Sequence, residues 1–274
     1  MLYGVSSFLA FMLNHVIGYR KDVIMENLSK SFPDKNKEEL NKIRIQFNKN
    51  FSDQMAETLK MFSISKKDLN ERLVYENPED VTKWVKEGRS VVIASGHYGN
   101  WEYPSGFPFK LPGFDQYNII YAQLSNKFFD DKIIETRERF DCHMISMKNT
   151  FREILAQPNN GQFYGFIFDQ SPHKGLVKYD LQFLNQTTPV HLGTEQVAVK
   201  KDAVVIYVEV NRTKRGFYSV RTEIVTDTPK ETSKYEITHM LFDRLEKSIK
   251  ESPAEWLWSH KRWKYKSGID YFLK

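Results

Sequence analysis

Short apolar runs separated by helical patterns constrain the fold of this chain more than any other feature. Residues 91–94 and 162–168 are rich in β-branched or aromatic side chains without polar alternation, which is typical of strands buried on both faces. The other predicted strands cover 119–122, 143–146, 203–210 and 216–225, the last two as a possible hairpin. The predicted helices among these strands cover 79–88, 127–140, 149–157, 191–200 and 232–251, and Phe128 is expected to point inward from the second of them. This alternation predicts an α/β fold with a mostly parallel central sheet covered by helices on both faces.

Helices are also predicted for residues 20–73, before the first of these strands. The longest covers about 37–62 and repeats apolar residues at three- and four-residue steps. These residues are Leu40, Ile43, Phe47, Phe51, Met55, Leu59 and Phe62. We interpret this stripe as core, and because no long Gly/Ser/Pro linker separates it from the strands, we expect one integrated body.

Residues 1–18 are largely apolar but fall slightly short of the roughly 20 residues that span a bilayer. They lack the charged leading region and the cleavage site of a signal peptide. A shortened span, an interfacial helix and an ordinary core helix are the alternatives, and we favour membrane attachment. Arg20 and Lys21 then favour the cytoplasmic side for the rest of the chain. We therefore predict an N-terminal helical membrane-associating segment, 1–18, and a single α/β domain with N-terminal helices, 19–274.

Charge and cysteine content narrow the partners. The chain has 40 Lys and Arg against 35 Asp and Glu, which favours an anionic membrane surface, a phosphorylated lipid, an acidic carrier or nucleic acid. The stretch 256–264 interleaves tryptophan with cations; it suits base stacking or an anionic interface, and we favour the interface. Cys142 is the only cysteine, so no intramolecular disulfide forms.

The turn after the 91–94 strand carries the strongest candidate for chemistry. His97 stands where the strand ends, Asn100 is placed to cap a following helix, and Glu102 falls in the first turn of that helix. A carboxylate on one imidazole nitrogen leaves the other nitrogen to take a proton from a hydroxyl group. The alternative is that His97 and Glu102 merely close the turn, and their spacing alone does not decide between the two.

Asp169 and Gln170 come directly after the 162–168 strand. Sites in open α/β sheets lie at the carboxyl ends of strands, so both residues are candidates for the rim of the same site. The alternative is an aspartate that starts a turn before Pro172. The chain contains no G-x-S-x-G, G-x-G-x-x-G, P-loop or H-E-x-x-H motif, which argues against the corresponding hydrolases, dinucleotide enzymes, NTPases and zinc peptidases.

The residues from His97 to Glu102, HYGNWE, resemble the H-x4-D/E signature of the late acyltransferases of lipid A biosynthesis, within the glycerol-phosphate/lysophospholipid acyltransferase group. Glutamate at the last position is usual in this branch, whereas aspartate is common in the wider group. The other matching segments are Gly18-Tyr19-Arg20, Asn27-Leu28, Ser31-Phe32-Pro33, Phe168-Asp169-Gln170, 187–190 with Gly193, and 258–264. The resemblance therefore covers nearly the whole chain.

The resemblance implies transfer of a fatty acyl group from acyl carrier protein or coenzyme A to a hydroxyl group of a lipid A precursor. It makes His97 the general base and Glu102 its orienting carboxylate. The residues expected to contact substrate or line the site rim are Asn100, Asn126, Arg137, Arg139, Asp169 and Gln170. The same resemblance implies no metal and no cofactor, and a location on the cytoplasmic face of the bacterial inner membrane.

Two other functions are compatible with the sequence. Relatives that acylate an ornithine-type aminolipid or a glycolipid would use the same site. A basic nucleic-acid-binding protein is a remote alternative; it predicts clustered cations over one face and no deep apolar tunnel. The acyltransferase predicts such a tunnel beside His97, and nucleic acid is not expected as a partner.

Overall fold

A computed structural model describes residues 2–173 and 177–265. The strands in this part of the chain are β1 (Leu73–Tyr75), β2 (Val91–Ser95), β3 (Gln116–Tyr121), β4 (Cys142–Ser146), β5 (Gln162–Ile167), β6 (Asp180–Phe183), β7 (Gln186–Pro189), β8 (Val204–Lys214) and β9 (Phe217–Thr226). The helices are α1 (Leu2–Phe11), α2 (Lys21–Ser31), α3 (Lys37–Met61), α4 (Lys66–Arg72), α5 (Glu79–Lys86), α6 (Phe107–Lys110), α7 (Lys127–Glu138), α8 (Thr150–Ala156), α9 (Gly193–Lys201) and α10 (Glu236–Glu251). A π-helical turn, Met12–Val16, comes after α1, and 3₁₀ turns occupy Tyr103–Gly106 and Pro253–Glu255.

Among the described residues, the main sheet has seven strands in the order β1-β9-β8-β2-β5-β3-β4, and a separate hairpin joins β6 to β7. All neighbouring strands of the main sheet are parallel except β8 and β9, which form the predicted antiparallel hairpin. The mostly parallel α/β fold is therefore confirmed, and the strand that precedes His97 lies in the middle of the sheet.

Strand β2 shows why its apolar run lacks polar alternation. Val92 and Ala94 pack into a core that contains residues of α2, α9 and α10. Val91 and Ile93 point to the opposite face, into a second core with residues of α5 and the 103–111 region. Both faces of the strand are covered, so every position favours an apolar side chain.

The long helix α3 begins at a capping box. Asn36 accepts hydrogen bonds from the backbone of Glu38 and Glu39, and the Glu39 side chain accepts one from the Asn36 backbone, which satisfies N–H groups at the helix start. Leu40 and Phe47 in the predicted apolar stripe are buried, as expected.

Some residues predicted to be core are exposed instead. Met55, Leu59 and Phe62 at the end of α3 are exposed, and so is Phe128 on α7, which we expected to point inward. Periodicity gives the apolar face of a helix but does not show what covers it, and this explains why the prediction was wrong for these residues.

The amino-terminal helix α1 packs against α3, and its outer face carries exposed Val5, Phe8 and Phe11. Among the described residues, no single helix is long and apolar enough to cross a membrane. The segments Leu2–Val16 and Lys21–Ser31 meet the length and composition criteria only as a pair, and they are bent by 84°.

Candidate active site

His97 and Asp169 meet because their strands are adjacent and in register. Strands β2 and β5 are parallel neighbours, and Ser95 pairs with Ile167 at their carboxyl ends. His97 and Asp169 each lie two residues beyond this pair. Because both residues lie the same distance past a paired position, their side chains meet at the carboxyl edge of the sheet. This is the edge where the sites of α/β proteins lie.

The imidazole of His97 is held by a buried carboxylate. Its Nδ1 atom lies 2.6 Å from Oδ1 of Asp169, and its backbone N–H donates to Oδ2 at 3.0 Å. The indole N–H of Trp256 donates to the same Oδ2 at 2.7 Å. Asp169 is only 2% exposed. Because an ionised carboxylate only accepts hydrogen bonds, Nδ1 carries the proton and Nε2 presents its lone pair.

The pKa of Asp169 reflects this environment. Burial alone would raise the pKa, but the charge of His97 and the hydrogen bonds from His97 and Trp256 outweigh burial and lower it to about 2. Asp169 is therefore ionised at neutral pH and stabilises positive charge on the imidazole.

The second ring nitrogen of His97 faces Gln170. The amide nitrogen of Gln170 lies 3.0 Å from Nε2, so it donates to the lone pair that a general base uses. Trp101 packs edge-on against the imidazole, with ring centroids 5.1 Å apart. The ring is thus fixed on three sides, and a substrate group that reaches Nε2 has to replace the Gln170 amide.

The structure does not pair Glu102 with His97, contrary to the sequence prediction. Its carboxylate accepts from Nε and Nη2 of Arg137 on α7, at 2.9–3.3 Å, and both side chains are 16% exposed. Sequence spacing suggested that a tight turn would join His97 to Glu102. The turn instead directs Glu102 toward α7, while the neighbouring strand supplies Asp169.

The shape of this turn depends on Gly99, whose φ is +60°. Its backbone N–H donates to the carbonyl of Glu255 at 3.0 Å, and a Cβ at this position would lie 2.0 Å from the carbonyl oxygen of Val210. A side chain has no room at this position, and the backbone conformation favours glycine. The preceding Tyr98 is buried and donates to the carbonyl of Ser248, which directs it away from the site.

Asn100 caps the turn, but the element predicted after it is a 3₁₀ turn that begins at Tyr103, so Glu102 lies just before this element and not in the first turn of a helix. Its Oδ1 accepts from the backbone N–H groups of Glu102 and Tyr103, both at 3.1 Å. Its Nδ2 donates to Glu57 at 2.7 Å, and the Asn100 side chain is fully buried. The prediction that Asn100 binds substrate is not supported, because its side chain is buried and its hydrogen bonds go to the protein. Asn100 instead fixes the backbone that carries Glu102.

Two other predicted substrate contacts have structural partners. Asn126 is exposed and caps α7 by accepting from the backbone of Phe129 at 3.3 Å. Arg139 donates to the carbonyls of Met61, Phe62 and Ile64 at 2.6–3.2 Å, where α3 ends. A guanidinium on the last carbonyls of a helix satisfies groups that lack helical partners. Of the two arginines considered, only Arg137 reaches the turn that carries the site.

The aromatic and basic stretch 256–264 is largely core rather than an interface. Trp256 and Trp258 are buried, and the indole of Trp258 donates to the carbonyl of Pro253. Arg262 is also buried and donates to the carbonyl of Pro189. The prediction that this stretch seats the protein at an anionic surface is therefore wrong for these residues, and the base-stacking alternative fails for the same reason.

Two histidines are kept neutral, His260 within this stretch and His191, which feels the charge of Arg262. His260 accepts from the backbone N–H of Ser171 at 3.4 Å. Burial, together with the charge of Arg262, lowers the pKa of His260 to about 4. The pKa of His191 is lowered to about 4 by burial and by the same guanidinium. Neither histidine takes part in the hydrogen bonds around His97.

Sequence reasoning missed two residues that shape the site. Trp256 was recognised only as part of an aromatic stretch, although its indole holds Asp169. Glu57 was overlooked on α3, where the buried polar residues Asn50, Asp53 and Glu57 recur at helical spacing. A polar stripe next to an apolar stripe on one helix was the available signal.

A narrow cleft lies beside the turn, lined by Phe47, Phe51, Trp101 and their neighbours. Its free volume of about 10 Å³ is close to the minimum for a single water molecule. This cleft as it stands has no room for an acyl chain, and the tunnel expected from the sequence stays a prediction.

The likeness of the chain to known proteins agrees with this site. A comparison with curated proteins gave no match. A family model described as "Bacterial lipid A biosynthesis acyltransferase" matches residues 1–265, which is nearly the whole chain. The chain therefore belongs to the bacterial lipid A biosynthesis acyltransferase family and is an acyltransferase of lipopolysaccharide synthesis.

Proposed function

We propose that this enzyme moves a fatty acyl chain from acyl carrier protein or coenzyme A to a hydroxyl group of a lipid A precursor, with His97 as general base. The observation that carries the proposal is the hydrogen bonding of the two ring nitrogens of His97. Its Nδ1 is bound by the buried Asp169, and its Nε2 faces the rim of the sheet beside Gln170. This is the protonation pattern that a general base requires.

The reaction can be written from this pattern. Nε2 of His97 takes the proton of the acceptor hydroxyl as the oxygen attacks the thioester carbonyl carbon. The tetrahedral intermediate collapses, the carbon–sulfur bond breaks, and the imidazolium returns its proton to the leaving thiolate. Asp169 stabilises the imidazolium between these steps and keeps its own negative charge. The reaction written in this way needs neither a metal ion nor a cofactor. That the enzyme uses neither is a prediction.

Gln170 marks the position of the acceptor hydroxyl. Its amide lies at hydrogen-bond distance from Nε2, where the hydroxyl has to lie for proton transfer. We infer that the acceptor displaces this amide, which then becomes available as a hydrogen-bond donor at the rim of the site.

We assign to Glu102 the role of holding Arg137 rather than that of orienting His97. Glu102 binds Nε and Nη2 of Arg137, whereas Nη1 makes no hydrogen bond among the described residues. A fixed guanidinium is suited to a phosphate group of the acceptor or to the charge that develops on the thioester oxygen.

We further propose that the protein works on the cytoplasmic face of the inner membrane. The exposed apolar residues of α1, Val5, Phe8 and Phe11, support this, because contiguous exposed apolar surface is typical of membrane or protein contacts. The exposed residues at the end of α3 add to the apolar surface on the helix that α1 packs against. The division into an associating segment, 1–18, and a domain, 19–274, is part of this proposal; residues 1, 174–176 and 266–274 lie outside the described part of the chain.

The test is mass spectrometry of total lipids from cells with and without the gene. The proposal expects the loss of one secondary acyl chain from lipid A. An unchanged lipid A with a missing acylated aminolipid or glycolipid would retain the chemistry and replace the acceptor.

The chemistry is tested separately with purified protein. Release of free thiol from a dodecanoyl thioester is measured with a lipid A precursor that lacks secondary acyl chains. His97→Ala is expected to abolish transfer in a protein that stays folded at the assay temperature, with a lower unfolding midpoint because buried Asp169 loses its imidazole partner. Full activity of this variant would refute the proposed base.

A further inference from the structure

Glu57 is a buried carboxylate that takes no part in the proposed proton transfer. It lies on α3, fully buried, and accepts three hydrogen bonds from neutral donors. These come from Asn100 Nδ2 at 2.7 Å, Tyr218 Oη at 2.7 Å and Tyr3 Oη at 2.9 Å. A buried ionisable side chain is costly unless its partners compensate for the loss of water, so its presence at this position calls for a reason.

The contact with Asn100 links Glu57 to the turn that carries the site. A carboxylate only accepts hydrogen bonds, so Glu57 requires Asn100 to direct its amide nitrogen toward α3. The carbonyl oxygen of Asn100 then faces the backbone N–H groups of Glu102 and Tyr103. With the side chain turned the other way, its NH₂ group would face two N–H donors, and the cap would be lost.

The turn has a second attachment on the His97 side. The backbone N–H of Gly99 donates to the carbonyl of Glu255 at 3.0 Å. Glu57, acting through Asn100, therefore fixes the half of the turn that leads to Glu102. Tyr3 extends the same network to α1, the helix whose outer face is apolar and exposed.

We propose that Glu57 is a positioning residue of this acyltransferase: its carboxylate orients Asn100 and thereby holds the turn that carries His97 and Glu102 in its working shape. The inference rests on the proposed function, because it assumes that His97 and Glu102 act in transfer. Glu57 touches no substrate, so its loss affects the catalytic step more than donor binding. A displacement of about 1 Å in a catalytic group costs on the order of 100-fold in rate.

The experiment uses the full chain with dodecanoyl coenzyme A and a lipid A precursor in detergent micelles, and it measures kcat and KM below the unfolding midpoint. Glu57→Ala is expected to lower kcat at least tenfold while the KM for the thioester changes less than about twofold. Glu57→Gln is expected to recover kcat to within about threefold of the wild type. Its amide oxygen still accepts from Asn100, and its NH₂ group donates to Tyr3.

Glu195 provides a matched control. It is a buried glutamate on α9 that accepts from the backbone of Tyr235 and from the backbone and hydroxyl of Thr238. Glu195→Ala removes three hydrogen bonds to a buried carboxylate, as Glu57→Ala does, but none of them involves the turn. It is expected to lower the unfolding midpoint and to leave kcat within about twofold. An equal loss of kcat in both variants would overturn the proposal.

A reciprocal exchange decides the matter if Glu57→Ala does not fold. Asn100→Asp places two carboxylates against each other and is expected to lower kcat at least tenfold. Adding Glu57→Gln restores one donor and one acceptor across the contact, so the double variant is expected to recover at least tenfold over Asn100→Asp. No recovery would overturn the positioning role. If the wild type itself releases no thiol above the level of His97→Ala from either the coenzyme A or the acyl carrier protein thioester, the proposed function fails, which is a different result.

Discussion

Replacing Asp169 by asparagine tests the orientation of His97 most sharply. Oδ2 of Asp169 accepts from two N–H donors, the backbone of His97 and the indole of Trp256. In Asp169→Asn the amide oxygen has to take this position, because an NH₂ group there would face both donors. The NH₂ group of the asparagine then faces Nδ1 of His97. Nδ1 becomes an acceptor, the ring proton moves to Nε2, and the lone pair that takes the substrate proton is lost.

The expected magnitude has a catalytic and a stability part. A wrong imidazole tautomer in an otherwise intact site lowers kcat by about 10⁴-fold in a serine protease, equivalent to about 5 kcal/mol, and we expect a loss of about 10³–10⁴-fold. The pKa of Asp169 is lowered from 3.8 to about 2, which corresponds to about 2 kcal/mol of stability. Because the folded pKa is lowered, this stability is present above about pH 4 and is lost as the pH falls toward 2.

The assay measures thiol release and thermal unfolding on the same preparation. Asp169→Asn should unfold at a lower temperature than the wild type at pH 7, and the difference should shrink between pH 4 and 2. Retention of more than a third of the wild-type kcat would refute the assignment of Asp169 as the orienting carboxylate. In that case Glu102 would become the candidate again.

Three further predictions concern the surroundings of His97. Glu102→Gln removes the charge that holds Arg137 and should lower kcat at least tenfold in the thiol-release assay, while an unchanged kcat would show that this ion pair is dispensable. Gly99→Ala should lower the free energy of unfolding by more than about 1 kcal/mol in a denaturant titration, since alanine is strained at its positive φ; unchanged stability would contradict the crowding around this residue. In the folded protein the pKa values of His191 and His260 are lowered to about 4, so below pH 6.5 the unfolded chain binds protons that the folded protein does not. The free energy of unfolding should therefore fall as the pH drops from about 6.5 to 4, by on the order of 3 kcal/mol for each histidine. Unfolding midpoints measured across this range check the effect, and a flat profile would contradict it.

Local sequence patterns predicted the elements that carry the site. The uninterrupted apolar runs indicated strands buried on both faces, and β2 and β5 are such strands. The same reasoning placed His97 and Asp169 at the carboxyl ends of strands, where the structure has them. It was less successful on helix faces, where Leu59 and Phe128 are exposed although their spacing indicated core.

The pairing of the side chains at the candidate site needed the tertiary structure. The sequence offered Glu102 as the partner of His97 because the two residues share one turn. The structure gives this role to Asp169, 72 positions further along the chain, since β2 and β5 are adjacent and in register. Neither the order of strands in a sheet nor their register can be read from the periodicity of one segment.

The sequence by itself determined the class of fold, the turn that carries the site and the identity of the general base proposed at it. These depend on side-chain periodicity and on the chemistry of residues close together along the chain. Only the tertiary structure decided that Trp256 holds Asp169 and Asp169 holds His97, that Glu102 binds Arg137 and that Glu57 supports Asn100. Each of these contacts joins segments distant in sequence, and hydrogen bonding depends on distances and angles that exist only once the sheet and its covering helices have assembled.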